Sequence, residues 1–116
     1  MRLVVASLVV AAAAACATTV TLPPDRLATS EAAIRSAGEL GAQDVPQAAL
    51  HLRLAEEEMN RAKAFADEGN AARAQLFLDR SSADAELALA LVREARTKSD
   101  ADRAQRDADA LEGSTR

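Results

Sequence analysis

The side chains of this sequence that we consider first as candidates for chemistry are Cys16, His51, Ser81 and Asp84. Cys16 is the only cysteine and His51 the only histidine, so a metal ion would need distant carboxylates around one imidazole. Ser81, His51 and Asp84 are the residue types of a catalytic triad, but no nucleophile-elbow motif surrounds the serine. Only four glycines occur, and none forms a phosphate-cradling loop. We therefore predict that the chain is not an enzyme and has no catalytic residue, metal site or cofactor.

The composition restricts the partners and the fold class. The formal net charge is −4, and no basic stripe is interleaved with aromatic residues, which argues against nucleic-acid binding. No small-molecule substrate is indicated by any motif. The only aromatic residues are Phe65 and Phe77, so the core must be thin and built from Leu, Val, Met and Ala. Alanine is the best helix former, and the composition therefore predicts an all-α protein.

The N-terminus has the three parts of a secretory signal. Met1-Arg2 is a short positive start, Leu3–Val10 is an apolar run, and small residues follow up to Ala15. This order is typical of a signal peptide, which we assign to residues 1–15. The stretch is shorter than the roughly 20 apolar residues that a transmembrane helix needs.

Two cleavage patterns overlap at the end of this signal. Ala13-Ala14-Ala15-Cys16 resembles the lipobox of bacterial lipoproteins, although alanine stands at position 13 where the lipobox usually has leucine. Ala15-Cys16-Ala17 also fits the small-x-small pattern of ordinary signal cleavage, which would release a soluble protein after Ala17. A lone exported cysteine cannot form an internal disulfide, and we therefore favour lipidation of Cys16.

Lipid on Cys16 would be the membrane anchor. Each buried CH₂ contributes about 0.8 kcal/mol, so several acyl chains hold a protein firmly. The residue after the cysteine is Ala17 and not Asp. By resemblance to Gram-negative lipoproteins, this implies a location in the outer membrane, facing the periplasm.

The mature chain is predicted to be a short tether followed by one helical domain. Residues 16–24 contain three threonines and a Pro-Pro pair, which favour extended backbone and could lift the domain about 25 Å from the lipid. The domain covers residues 25–112, with helices at about 25–40, 46–68 and 70–111. Residues 113–116 are expected to be a disordered tail.

The predicted helix boundaries depend on five residues with clear end signals. Asp25 is a candidate N-cap, and Gly41 is a natural stop for the first helix. Pro46 suits the first turn of the second helix. Gly69 ends that helix, and Asn70 can cap the third. Because the connections are short, we expect an antiparallel helical hairpin or three-helix bundle with a long C-terminal helix.

The core is predicted from apolar residues at helical spacing. In the second helix the stripe has a coiled-coil-like four-three spacing, and the third helix carries a similar stripe flanked by Leu87 and Leu91. Leu52 and Leu87 are assigned to the core, so that Asp at either position should unfold the domain. Glu56–Glu58 is expected to lie mostly on the solvated outer face. The two stripes contain Ala48, Leu52, Ala55, Met59, Ala62 and Ala66, and Ala74, Phe77, Leu78, Ser81, Ala85, Ala88, Val92 and Ala95.

From Arg96 onward the sequence alternates in charge and keeps only a faint apolar seam that ends at Leu111. Two interpretations fit this stretch. It is either a frayed, solvated extension of the third helix or a coil that binds an envelope protein partner or a second copy of the chain.

The order of several motifs resembles a known family. They are Ala32-Ala33-Ile34, Gly41-Ala42 before Pro46, Leu52-x-x-Ala55, Met59-x-x-Ala62, Gly69-Asn70-x-x-x-Ala74 and Asp84-Ala85-Glu86-Leu87-Ala88. This pattern, over roughly residues 16–96, resembles the alanine-rich bacterial lipoproteins grouped as domain of unknown function 4398. The resemblance implies an exported α-helical envelope protein and supplies no catalytic residues.

These observations predict a lipid-anchored lipoprotein of the outer membrane that acts as a structural or protein-interaction module. The alternative is a soluble periplasmic helical binding or chaperone-like protein, released by cleavage after Ala17.

Overall fold

The architecture is known from a computed structural model, which describes residues 18–115. Three α-helices follow one another: α1 (Pro24–Glu39), α2 (Pro46–Asp67) and α3 (Ala71–Ser114), with a short 3₁₀ helix at Ala42–Asp44 before α2. The all-α prediction and the long C-terminal helix are confirmed. The predicted signal peptide, residues 1–15, lies outside the described residues.

The first helix begins differently from the prediction. Pro23 is the N-cap and Pro24 the first helical residue, whereas Asp25, predicted as the cap, lies within the first turn. Proline suits this position because its missing N–H would have no helical partner there. At the other end Gly41 has a left-handed φ of 85°, which ends the first helix as predicted and leads into the 3₁₀ helix.

The turn between α2 and α3 follows the sequence signals closely. Gly69 has a φ of 75°, a conformation that glycine adopts without strain. The Asn70 N–H donates to the Phe65 carbonyl at 2.8 Å, which satisfies a free acceptor at the end of α2. The Asn70 side chain accepts the N–H of Arg73 at 3.2 Å and caps α3. The tight turn makes α2 and α3 antiparallel neighbours.

The predicted disordered tail is largely helical. Gly113 and Ser114 belong to α3, and Thr115 is its C-cap, donating its backbone N–H to the Glu112 carbonyl. The Ser114 hydroxyl also donates to the Leu111 carbonyl at 2.8 Å. The helix therefore continues past the predicted end at residue 111. No Gly or Pro interrupts it earlier, and side-chain hydroxyl groups donate hydrogen bonds to its last carbonyl oxygens.

The core lies between α2 and α3 and is built mainly from alanine. Leu78 and Val92 are its largest fully buried side chains. Leu52, assigned to the core from the sequence, is buried at 6% exposure, but Leu87, assigned in the same way, is 43% exposed. The assignment of Leu87 was wrong because Ala85 and Ala88 fill the face that α3 turns toward α2. The buried hydrophobic residues of the helices are Ala37, Ala48, Leu52, Ala55, Met59, Ala62, Ala66, Ala74, Leu78, Ala85, Ala88 and Val92.

Helix α1 packs mainly against α3 and runs parallel to it. An ion pair joins Arg26 near the start of α1 to Asp79 of α3. The fully buried Ser81 hydroxyl donates to the Ala55 carbonyl at 2.8 Å and lies 3.1 Å from the Ser30 hydroxyl. Because the Ser81 proton is already used, Ser30 must donate to Ser81. These bonds satisfy the only polar side chains that are buried among the described residues.

Candidate functional site

The predicted lipidation residue, Cys16, lies outside the described residues, which begin two positions after it at Thr18. The segment Thr18–Pro23 has no regular secondary structure and lies on the helical domain, whereas the sequence predicts a free spacer here. The Val20 N–H donates to the Ala66 carbonyl at 2.9 Å, and Leu22 is buried at 9% exposure against the core. We call this stretch the docked segment.

The docked segment meets the domain at the turn between α2 and α3. A Cβ atom placed on Gly69 would collide with the carbonyl oxygen of Thr18. Glycine is thus required here twice, for its positive φ and for the close approach of another backbone. The sequence does carry a signal for docking that we missed, since Val20 and Leu22 alternate with threonines as in a strand with one buried face.

Two residues of the hypothetical Ser81–His51–Asp84 arrangement lie close together in the structure. The Nδ1 atom of His51 lies 2.6 Å from Oδ1 of Asp84, which joins α2 to α3 at a partly buried position. Ser81 is not part of this pair, because its hydroxyl faces the core and donates to Ala55. The arrangement is that of a boundary histidine oriented by a carboxylate, and it lacks a positioned nucleophile.

Glu58 extends this polar pair along α2. It is not on the solvated face predicted for Glu56–Glu58: its Oε2 atom is buried and has no hydrogen-bond partner. Burial raises the pKa of the Glu58 carboxyl above its usual value of 4.5, and the neighbouring Asp84 raises it further. The guanidinium groups of Arg80 and Arg61 act in the opposite direction. The Glu58 carboxyl therefore lies beside Asp84 in a site that favours its protonated form.

The two aromatic residues form one cluster near the same end of the hairpin as the docked segment. The ring centroids of Phe65 and Phe77 are 5.3 Å apart. Arg73 lies over the Phe65 ring, and Arg61 and Arg80 lie over the Phe77 ring, each with its guanidinium carbon 5.3–5.7 Å from the centroid. Such cation–π contacts contribute about 0.5–1 kcal/mol at exposed sites, so the cluster helps to hold α2 on α3.

A groove of about 340 Å³ runs between α1 and α2. The ion pair of Lys63 with Glu31, at 2.7 Å, lies at this groove, and Met59 and Ile34 supply apolar wall. The groove is open to solvent, unlike the enclosed and mainly apolar pockets typical of small-molecule sites. Within residues 18–115, no group of three or more His, Cys, Asp or Glu is arranged to hold a metal ion.

The last part of α3 is the most exposed region that the structure describes. Every residue from Arg96 to Thr115 is exposed, including Leu111 at 69%. Among the described residues, Arg96 is the last residue of α3 that hydrogen-bonds to another element of the bundle, donating from Nη2 to the Leu40 carbonyl at 2.8 Å. We call residues 97–115 the α3 extension. Among the described helices, none is long and apolar enough to cross a membrane.

The helical region matches the family model of a domain of unknown function, DUF4398, over residues 25–104. The chain belongs to the DUF4398 family. The match covers α1, α2 and α3 as far as Ala104, whereas the resemblance seen in the sequence covered roughly residues 16–96. The docked segment and the end of the α3 extension thus lie outside the part that defines DUF4398 in this chain. No curated protein and no solved structure matches the chain.

Proposed function

We propose that this chain is a bacterial lipoprotein, exported across the inner membrane and anchored by acyl chains on Cys16. The observation that carries the proposal is the position of the only cysteine. It follows five alanines, Ala11–Ala15, at the end of a stretch that begins Met1-Arg2 and continues as an apolar run. A single cysteine has no partner for an internal disulfide, whereas lipidation gives it a role.

The proposed role of the mature domain is that of a structural or protein-interaction module of the envelope. Support comes from the α3 extension, a fully exposed helical stretch with no partner among the described residues. Helical stretches of this length are marginal in water without packing, so a surface of this kind is best explained by an envelope protein partner or by a second copy of the chain.

A second candidate rests on the overlapping cleavage pattern. The Ala15-Cys16-Ala17 sequence fits ordinary signal cleavage after Ala17. The product would begin at Thr18 and would be a soluble periplasmic binding or chaperone-like protein.

Membrane fractionation in a Gram-negative host distinguishes the two candidates. We expect wild-type protein in the membrane fraction and loss of that retention in Cys16→Ser, because serine cannot be acylated there. Thr19→Ser is the matched control, since it makes a small change at an exposed position just beyond the proposed cleavage site. If Cys16→Ser fractionates like wild type, the lipid anchor is not the means of retention and the proposal is wrong.

The outer-membrane location has its own test. By the sorting rule of Gram-negative lipoproteins, Ala17→Asp should move the protein from the outer-membrane to the inner-membrane fraction of a density gradient. Ala17→Ser is the control that keeps a small neutral residue and should stay with the outer membrane. An inner-membrane location of the wild-type protein would contradict the proposed sorting.

A further inference from the structure

We propose that the turn between α2 and α3 is the membrane-facing end of the domain, and that α3 stands away from the lipid surface with its extension at the far end. This inference rests on the lipid anchor proposed above. Its basis is the position of the docked segment, which fixes where the anchor joins the folded domain.

The distance from the anchor to the domain is short because most of the tether is docked. Only Ala17 separates Cys16 from Thr18, and Thr18 already lies against Gly69. Consecutive Cα atoms are 3.8 Å apart, so the Cα of Cys16 is within about 8 Å of that of Thr18. A free tether of 16–24 would have allowed any side of the domain to face the lipid, whereas the docked segment leaves one end close to it.

The direction of α3 then follows from the fold. The helix begins at Ala71, beside the turn, and its 44 residues span about 66 Å. The bundle ends where Arg96 contacts Leu40, about 38 Å along α3. Beyond that point only the α3 extension continues, which places Leu111 about 60 Å from the turn.

The charge of the extension favours an upright orientation over one that lies flat. Residues 97–115 carry five carboxylates, on Asp100, Asp102, Asp107, Asp109 and Glu112, and three positive groups, on Lys98, Arg103 and Arg106. Helices that lie on anionic membranes carry Lys and Arg around a continuous apolar face, and this stretch has an acidic excess and mostly alanine. Anionic headgroups therefore repel the far end while the acyl chains hold the near end.

Energy transfer from a single tryptophan to a headgroup-labelled lipid tests the orientation. The sequence has no Trp or Tyr, so one introduced Trp is a unique donor. The reporters are Glu68→Trp at the turn, Leu50→Trp at an exposed position toward the other end of α2, and Leu111→Trp in the extension. Each is made in the full acylated protein and incorporated into vesicles of phosphatidylethanolamine and phosphatidylglycerol with dansyl-labelled headgroups.

We expect transfer to be strongest at position 68, weaker at position 50 and indistinguishable from zero at position 111. The same reporters with Cys16→Ser provide the background for protein that is not anchored. Equal transfer at positions 68 and 111 in acylated protein would show that the rod lies flat, and the reverse order would show that it is inverted. Either result overturns the orientation alone. Recovery of the wild-type protein from the Gram-negative host without any acyl chain on Cys16 would overturn the proposed anchor and this inference together.

Discussion

The carbonyl oxygen of Thr18 occupies the space where a side chain on Gly69 would begin. This contact ties the segment that follows Cys16 to the turn between α2 and α3. The Val20–Ala66 hydrogen bond and the burial of Leu22 hold the same segment a few residues further on. A proline- and threonine-rich stretch that would otherwise be a flexible spacer is thus part of the folded domain.

The contact predicts that Gly69→Ala is more destabilising than Gly41→Ala. Both glycines have a positive φ, so alanine costs about 1–2 kcal/mol at either position. Only Gly69 has a backbone carbonyl in the way; a Cβ on Gly41 meets the end of the Asp44 side chain at 3.2 Å. We expect an additional loss of about 1 kcal/mol or more in the free energy of unfolding at Gly69, measured by denaturant titration. Equal losses would mean that Thr18 is not docked in solution.

The core assignment predicts a large difference between two leucines of the same helix. Leu78 is fully buried and Leu87 is 43% exposed. Leu78→Ala should reduce the free energy of unfolding by about 2–5 kcal/mol, through lost burial and the cavity left behind. Leu87→Ala should cost at most about 1 kcal/mol, because much of its surface is already in water. The two losses are compared by thermal unfolding of the two variants. A larger loss for Leu87→Ala than for Leu78→Ala would show that α3 is rotated about its axis.

The position of Glu58 leads us to expect that the stability of the fold decreases as the pH rises from acid toward neutral. Burial, reinforced by Asp84, raises its pKa, so the folded state holds the proton more tightly than the unfolded chain. This stabilisation is fully present below the ordinary value of 4.5 and is lost as the pH rises through the raised pKa. Glu58→Gln should therefore match wild type in acid and unfold at a higher temperature near neutral pH.

The control for this pH dependence is Glu57→Gln, an exposed neighbour on the same helix. Its melting temperature should follow the wild-type pH profile in parallel. If Glu58→Gln also runs parallel to wild type, the buried carboxyl does not hold a proton in the folded state.

Hydrogen exchange tests the exposure of the α3 extension. Backbone amides of residues 99–112 have no packed side chains around them, whereas residues 74–92 border the core. Helical stretches of this length without packing open readily, so the extension should exchange much faster than the core section of the same helix. Equal protection in both sections, at a concentration where the protein is monomeric, would contradict the exposed arrangement.

Much of the fold could be predicted from helical spacing and end signals. Pro46, Gly69 and Asn70 define the hairpin, and the α2 stripe from Ala48 to Ala66 is buried throughout. The position of Leu87 could not be found in this way. In α3 a leucine alone does not mark the buried face, because alanines fill most of that face: Leu78 is fully buried whereas Leu87 is half exposed.

The candidate site was less predictable, for two physical reasons. Local composition favours extended backbone in Thr18–Pro23, but it does not show which surface the segment packs on. That surface depends on the Gly69 turn, about fifty residues away. The His51–Asp84 pair likewise depends on the register of α2 against α3, which sequence spacing within one helix does not determine. The family match identifies the helical region but assigns no role to the docked segment or to the His51–Asp84 pair.

The most direct test of the central claim is the mass of the mature N-terminal peptide from protein expressed in a Gram-negative host. We expect the mature chain to begin at Cys16 and this residue to carry three acyl chains. A chain that begins at an unmodified Thr18 would contradict it, because the protein would then have no lipid anchor and the domain would be free in the periplasm.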